Sequence, residues 1–183
     1  MILAAPSGAA DYPAQWQRVA QTSDGVAYRI RPIRIEDAER DKAFIMHLSA
    51  ASRYKRLMGS VRDPSPALID RLVHIDYQHD MAFVAVIDYS GAEQIIGVAR
   101  YACGSDETDA EFAVAVADAW QSRGVGMAIM RLLFEYARAQ GLRRLHGLIL
   151  ANNRRMLDFT RKLELKISSL PEDSTTLEAS RDL

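Results

Sequence analysis

The 183-residue chain holds one cysteine, Cys103, so an internal disulfide is excluded, and no Cys/His run has the spacing of a zinc site. His74, Asp76, His79 and Asp80 do fall close together, but in a pattern that reads as a polar loop between a helix and a strand. Neither sign of charge is in excess, since 23 Lys and Arg spread along the chain face 24 Asp and Glu. A nucleic-acid partner would need a concentrated basic surface, so none is expected. No apolar run approaches membrane-spanning length, and no basic segment followed by an apolar stretch marks a secretory leader. These absences predict a soluble, cytoplasmic protein without a metal or a membrane partner.

What is present is enough apolar side chain, 49% of 20.4 kDa, to bury one core. Residues 1–24 are rich in Ala, Pro, Ser, Gly and Gln without a sustained period and read as a flexible arm, leaving one domain over 25–183. Within it, Val26 to Ile33 alternates as a strand, Asp37 to Leu48 carries a helical stripe, and 52–58 reads as a short helix stopped by Gly59. Ser65 followed by Pro66 is a cap and first turn for a further helix. Met81 to Asp88 and Gln94 to Tyr101, with Ser90-Gly91 between them, read as an antiparallel hairpin. Leu165 to Leu170 and Thr175 to Ser180 read as two closing strands around Pro171-Glu172-Asp173.

The stretch from Ala110 to Asn153 organises the rest. Glu111-Phe112-Ala113-Val114-Ala115-Val116 alternates as a strand. Gln121-Ser122-Arg123-Gly124-Val125-Gly126 follows, and then Val125, Ala128, Ile129, Leu132, Leu133 and Tyr136 mark one face of a helix that ends at Gly141. Glycines let the backbone approach a ligand, and the unpaired N–H groups of a helix start point along a favourable dipole at an anion. The turn is neither a Walker A loop, for no Lys-Ser or Lys-Thr follows, nor a dinucleotide fingerprint, for the third glycine is missing. A strand over Leu142 to Leu150 then lies parallel to the one at Glu111, because a helix separates them, and Asn153 can cap a last helix facing inward through Met156, Phe159, Thr160 and Leu163.

This order, with Asn153-Arg154-Arg155-Met156 opening the last helix, resembles the GNAT superfamily of acetyl-CoA-dependent N-acetyltransferases. Gln121, Gly124 and Gly126 match the family's Gln/Arg-x-x-Gly-x-Gly/Ala loop, which grips the coenzyme pyrophosphate. Ser52-Arg53-Tyr54, Ile75-Asp76-Tyr77, Met81-Ala82 and Glu111-Phe112 are similar to the acetyltransferase domain of bacterial protein lysine acetyltransferases. The resemblance implies an α/β (α+β) GNAT fold, in which a mixed, mainly antiparallel sheet of about seven strands is splayed at a central parallel pair and flanked by helices on both faces. It implies that amides from Arg123, Gly124, Val125, Gly126, Met127 and Ala128 face the pyrophosphate, that the backbone of Val114 to Val116 pairs with the pantetheine arm, and that Asn153 contacts that arm.

Glu111 is the candidate general base, because acetyl transfer needs a neutral amine and a lysine with a pKa near 10.4 is almost wholly protonated at neutral pH. The expected activity is transfer of an acetyl group from acetyl-CoA to a primary amine by direct attack. A protein lysine is the favoured acceptor, for which an acyl-CoA synthetase is the family's frequent example. A small-molecule amine is the alternative acceptor, with the loop from Met58 to Pro66 helping to decide. The resemblance departs at two places: Phe159 stands where many members use a tyrosine as general acid, and Lys162-Leu163-Glu164-Leu165 replaces the common Leu-Gly-Phe. They motivate a second reading, an acyl-CoA-binding sensor or interaction module that has lost turnover.

Overall fold

The computed structural model describes residues 11–57, 63–104, 107–171 and 173–183. Eight strands form one sheet: β1 (Arg18–Gln21), β2 (Ala27–Pro32), β3 (Asp80–Tyr89), β4 (Ala92–Cys103), β5 (Asp109–Val116), β6 (Arg144–Leu150), β7 (Lys166–Leu170) and β8 (Asp173–Asp182). Their spatial order is β1-β2-β3-β4-β5-β6-β8-β7, and every neighbouring pair is antiparallel except β5 and β6. The helices are α1 (Ala38–His47), α2 (Ala50–Leu57), α3 (Pro66–Val73), α4 (Val125–Ala139) and α5 (Arg154–Lys162). Met58 and Gly59, read as the stop of α2, lie outside the described residues, as does most of the Met58 to Pro66 loop.

Within the segment read as an arm, Arg18–Gln21 is instead an eighth strand that pairs with Ala27–Ile30 around a turn at Gly25. The strand is on the sheet edge and Val19 is 80% exposed, so its sequence carries no apolar alternation to read. Two aromatics ahead of it dock the segment. Tyr12 donates its hydroxyl to the Pro32 carbonyl at 3.1 Å, and the Trp16 ring meets Tyr136 edge-on at 5.0 Å.

Each sheet face buries its own core. Ile129 and Leu133 of α4 pack on Phe83, Ile96, Tyr101 and Phe112 of the sheet, with Met156 and Phe159 of α5 packed against them. On the other face Phe44 of α1 and Ile69 of α3 pack with Ile33, Val84 and Val98. A side chain such as Leu133 contributes about 1.5–3 kcal/mol on burial. Ser90 and Gly91, both at positive φ, close the β3–β4 hairpin in the backbone twist that suits two-residue turns. In β4, Ile96 is an extra residue between the pairs Ala85↔Gly97 and Val86↔Ile95, a bulge that bends the strand beside the site.

Candidate active site

The parallel pair β5–β6 is in register for only three residues, Asp109↔Arg144, Ala110↔Leu145 and Glu111↔His146. Beyond Glu111 the strands part, while β5 stays paired with β4 up to Val116. The edge of β5 that faces β6 therefore has main-chain groups free of ladder partners from Phe112 onward. Gly147 sits at the fork. A Cβ there would lie 2.8 Å from the Phe112 carbonyl oxygen and 3.1 Å from its ring, so only glycine lets the strands come this close before they diverge.

The fork opens a cleft of ≈ 1120 Å³. Its floor is Glu111 to Val116 of β5, one end is the glycine turn, and its walls come from β6, from α5 over its length to Lys162, and from Leu68, Arg71 and Leu72 of α3. Of the residues expected in the site, Glu111, Val114, Val116, Gln121, Gly124, Gly126, Met127 and Asn153 line this one cleft.

Gly124 is the N-cap of α4 at φ 91, a left-handed backbone that glycine adopts without strain. A Cβ at Gly124 would meet nothing within 4 Å, so the space outside the helix start is open. At Gly126 a Cβ would lie 3.3 Å from the Phe159 ring and 3.4 Å from Val116, a close fit where the helix start, β5 and α5 converge. Asn153 caps α5 by accepting from the Met156 amide at 3.3 Å.

Three of the expected residues do not line the cleft. The Arg123 guanidinium donates to Asp24, at 3.0 Å through Nε, and lies over the Trp120 ring at 4.6 Å, so its charge is committed to the β1–β2 turn. The Val125 side chain is wholly buried in the core. The Ala128 amide already donates to the Gly124 carbonyl at 3.1 Å, which narrows the donors without a partner inside the helix to Gly124 through Met127.

Gln121 joins the parts. Its amide nitrogen donates to the Val116 carbonyl at 3.0 Å and to the Ser52 hydroxyl at 3.4 Å, and its oxygen accepts from Arg155. Next to it, Asp118 accepts from the Ser49 amide at 2.9 Å, the Ser49 hydroxyl at 3.0 Å and the Ser52 hydroxyl at 2.8 Å, fixing the start of α2 over the cleft. Burial opposes ionisation of Asp118, but those hydrogen bonds outweigh it and hold the carboxyl below its ordinary range. Ser52, Arg155 and the α3 wall were not legible as site residues. The one local signal was the Arg154-Arg155 pair at the start of α5, which did not say which arginine turns inward.

Glu111 is exposed on the face of the sheet opposite α4, beside Ala102 of β4 and His146 of β6. Phe159 lines the cleft where a tyrosine was looked for, and no tyrosine lines it among the described residues. The segment from His74 to His79 is a loop between α3 and β3, as expected, with the Asp76 carboxylate accepting from the amides of Gln78, His79 and Asp80 at 2.8–3.1 Å. The Tyr77 hydroxyl is spent on the Ile33 carbonyl at 2.8 Å.

Comparison with known proteins agrees with this geometry. Residues 34–164 match the acetyltransferase (GNAT) family. The chain is 41% identical over 157 residues to an acetyltransferase of Pseudomonas aeruginosa, covering 86% of this chain and 84% of that one. It is 32% identical over 137 residues to the acetyltransferase Pat of Mycolicibacterium smegmatis, covering 74% of this chain but only 40% of that longer protein. The GNAT domain of S. lividans PAT superposes with a TM-score of 0.85 at 27% identity, covering 94% of this chain and all of that one. On fold, sequence match and site architecture together, the chain belongs to the GNAT acetyltransferase family.

Proposed function

We propose that the protein moves an acetyl group from acetyl-CoA to a primary amine, with a protein lysine as the favoured acceptor, in the cytoplasm. The observation that carries this reading is that Glu111 and the start of α4 line the same cleft, joined by one strand. The cleft suits the coenzyme end to end. Amides of Gly124 to Met127 and the side chain of Arg155 meet an anion at one end, and apolar Val114, Val116, Met156 and Phe159 flank an extended chain. The unladdered edge of β5 offers main-chain groups to the amides of a pantetheine arm.

In this reading the residues divide the work. Gly124 to Met127, with Gln121 and Arg155, hold the phosphates. The backbone near Val114 positions the thioester, and Glu111 removes a proton from the attacking amine so that its lone pair reaches the carbonyl carbon. With Phe159 in place of a hydroxyl, the departing thiolate takes its proton from water. The similarity of Ser52-Arg53-Tyr54, Ile75-Asp76-Tyr77 and Glu111-Phe112 to bacterial protein lysine acetyltransferases favours a lysine acceptor over a small amine.

The second reading, a coenzyme-binding module without turnover, is motivated by Phe159 and by the departure at Lys162 to Leu165. One experiment separates the two: incubation with acetyl-CoA and a panel comprising an acyl-CoA synthetase, polylysine, spermidine and free amino acids, following thiol release. Transfer to the protein acceptors supports the proposal. Tight acetyl-CoA binding with no thiol release across the panel would favour the sensor. If Glu111→Gln kept the full rate at every pH, with unchanged coenzyme affinity, Glu111 would not be the base.

A further inference from the structure

Strand alternation divides the cleft into two sides. Phe112, Val114 and Val116 turn toward α4 and α5, where Met156 and Phe159 pack with them. Glu111, Ala113 and Ala115 turn the other way, and Ala115 packs on the core that holds Ile69 and Leu72 of α3. β6 follows the same alternation: Glu111 stands opposite His146, so Leu148, two residues on, faces the side of Glu111. In the acetyl-transfer reading the coenzyme takes the first side, and the acceptor reaches Glu111 from the second.

One side chain on the second side is not used by that chemistry. Leu68, Arg71 and Leu72 lie at i, i+3 and i+4 of α3, share one face of the helix and all line the cleft. Arg71 stands in the last turn, where the helix dipole favours a cation. Arg100 of β4 holds that turn to the sheet by donating to the Leu72 carbonyl at 3.3 Å. The neighbouring acid on the helix is engaged elsewhere, since the Asp70 carboxylate lies 2.8 Å from His74 Nδ1. Asp80 of β3 feels the charge of Arg71, but that of Arg100 more. Among the described residues no carboxylate comes within 4 Å of the Arg71 guanidinium, and no group accepts a hydrogen bond from it. Other arginines around the cleft are committed, Arg123 to Asp24, Arg155 to Gln121 and Arg53 to the Met46 and Leu48 carbonyls. Among the described lining residues of the second side, only Glu111 and Arg71 carry charge; Arg155, Asp158 and Lys162 belong to α5.

We propose that Arg71 selects the acceptor by a carboxylate carried close to its reacting amine, so that in a protein substrate the modified lysine has an Asp or Glu beside it; the inference rests on the acetyl-transfer reading. A guanidinium holds a carboxylate through two parallel hydrogen bonds, and on a wall formed with Leu68 and Leu72, covered by the acceptor, that contact is screened less than at an open surface. The same charge repels further cations, so a lysine among other basic residues docks poorly there. Glu111 attracts an ammonium and Arg71 a carboxylate, and an acceptor that carries both signs meets a partner for each.

The test uses blocked peptides with a single lysine flanked on both sides by Glu, Gln or Arg, and compares wild type, Arg71→Ala, Arg71→Lys and Arg71→Glu at saturating acetyl-CoA. Wild type is expected to show a kcat/KM about tenfold higher for the Glu-flanked than for the Gln-flanked peptide, carried by KM, and lower again for the Arg-flanked one. Arg71→Ala should abolish that order, Arg71→Lys keep part of it, and Arg71→Glu invert it. A wild type indifferent to the flanking residues, or an order that survives in Arg71→Ala, overturns the inference and leaves acetyl transfer standing. An equal fall in kcat with all three peptides also overturns it, placing the charge on the chemistry rather than on selection. So does a loss of coenzyme A affinity in Arg71→Ala with the order unchanged, which assigns Arg71 to the coenzyme. If thiol is released with a whole protein but with no peptide, the same variants are compared on that protein with Gln in place of the acids next to the modified lysine, and a modified lysine without an acidic neighbour overturns the inference. A wild type that releases no thiol with any acceptor overturns both readings.

Discussion

The side-chain amide of Gln121 donates to the main-chain oxygen of Val116 at 3.0 Å, so the glycine turn is tied to the last residue of the strand that carries Glu111. The same side chain accepts from Arg155 of α5. One residue thus sets the separation between the glycine turn, β5 and α5.

Gln121→Ala removes both links, each worth about 1 kcal/mol. Since about 1.4 kcal/mol is tenfold in affinity, coenzyme A should bind roughly tenfold to thirtyfold more weakly. Arg155→Ala should cost less, and the double variant less than the sum, because the two side chains share one contact. Calorimetric titration of coenzyme A into the four proteins reads this directly, and additive losses would mean that the Gln121 to Arg155 contact does not couple the two.

A second prediction concerns stability and pH. Arg31 is buried with its guanidinium on Asp37, at 2.6 and 2.7 Å, and on Glu93 at 2.8 Å. Burial raises the Asp37 pKa, but the Arg31 hydrogen bonds and the Arg34 amide outweigh it, and the carboxyl titrates below its ordinary range. A depressed carboxyl contributes stability that is full above its unfolded value of about 3.9 and is lost as pH falls through its folded value. Asp37→Asn should cost about 3–5 kcal/mol by leaving Arg31 underpaired in the core. Urea unfolding between pH 7 and pH 3 checks both points: the variant should start lower and fall less steeply in the acid range.

The departure at Lys162 to Leu165 yields a third prediction. α5 ends with the Glu164 amide donating to the Arg161 carbonyl and the Leu165 amide to the Thr160 carbonyl, both at 3.0 Å, and Glu164 sits at φ 59. α4 ends in the same pattern, with glycine, Gly141, at the left-handed position. The glutamate therefore keeps the turn geometry at the expense of Cβ strain, about 1 kcal/mol. Glu164→Gly should raise the unfolding free energy by about that amount with coenzyme affinity unchanged, since Glu164 lies outside the cleft; Gly141→Ala should lower stability by a similar amount. Thermal melts of the two variants, moving in opposite directions, are the check.

What could be read from the sequence is what local chemistry encodes. The β3–β4 hairpin, the run from β5 through the glycine turn into α4, the caps at Ser65 and Asn153, and the stop at Gly141 each rest on periodicity or on a residue type suited to one backbone position. β1 escaped because an exposed edge strand has no buried face to alternate. Arg123 was misplaced because its partner, Asp24, is 99 residues away, and no local rule pairs them. His146, Arg155 and the α3 wall join Glu111 and Gln121 only through the sheet register and the helix packing above it. Neither has a short-range signature.

The last prediction tests the fork itself. Among the contacts an added Cβ at Gly147 would make, the nearest is the Phe112 main-chain oxygen at 2.8 Å, closer than the ring atoms at 3.1 Å. A flexible side chain could turn away, whereas a carbonyl held in a strand cannot move without moving β5. Gly147→Ala should therefore cost about 1–3 kcal/mol and widen the separation of the parallel pair next to Glu111 and His146. Shrinking the ring by Phe112→Leu should not restore it, because the ring is not the nearest obstacle, and Phe112→Leu alone adds its own loss of buried area. Chemical denaturation gives the stability of the single and double variants. Amide hydrogen exchange at Glu111 and His146 reports whether the fork has opened, and a double variant recovered to wild-type stability would show that the ring, not the strand, is what the glycine accommodates.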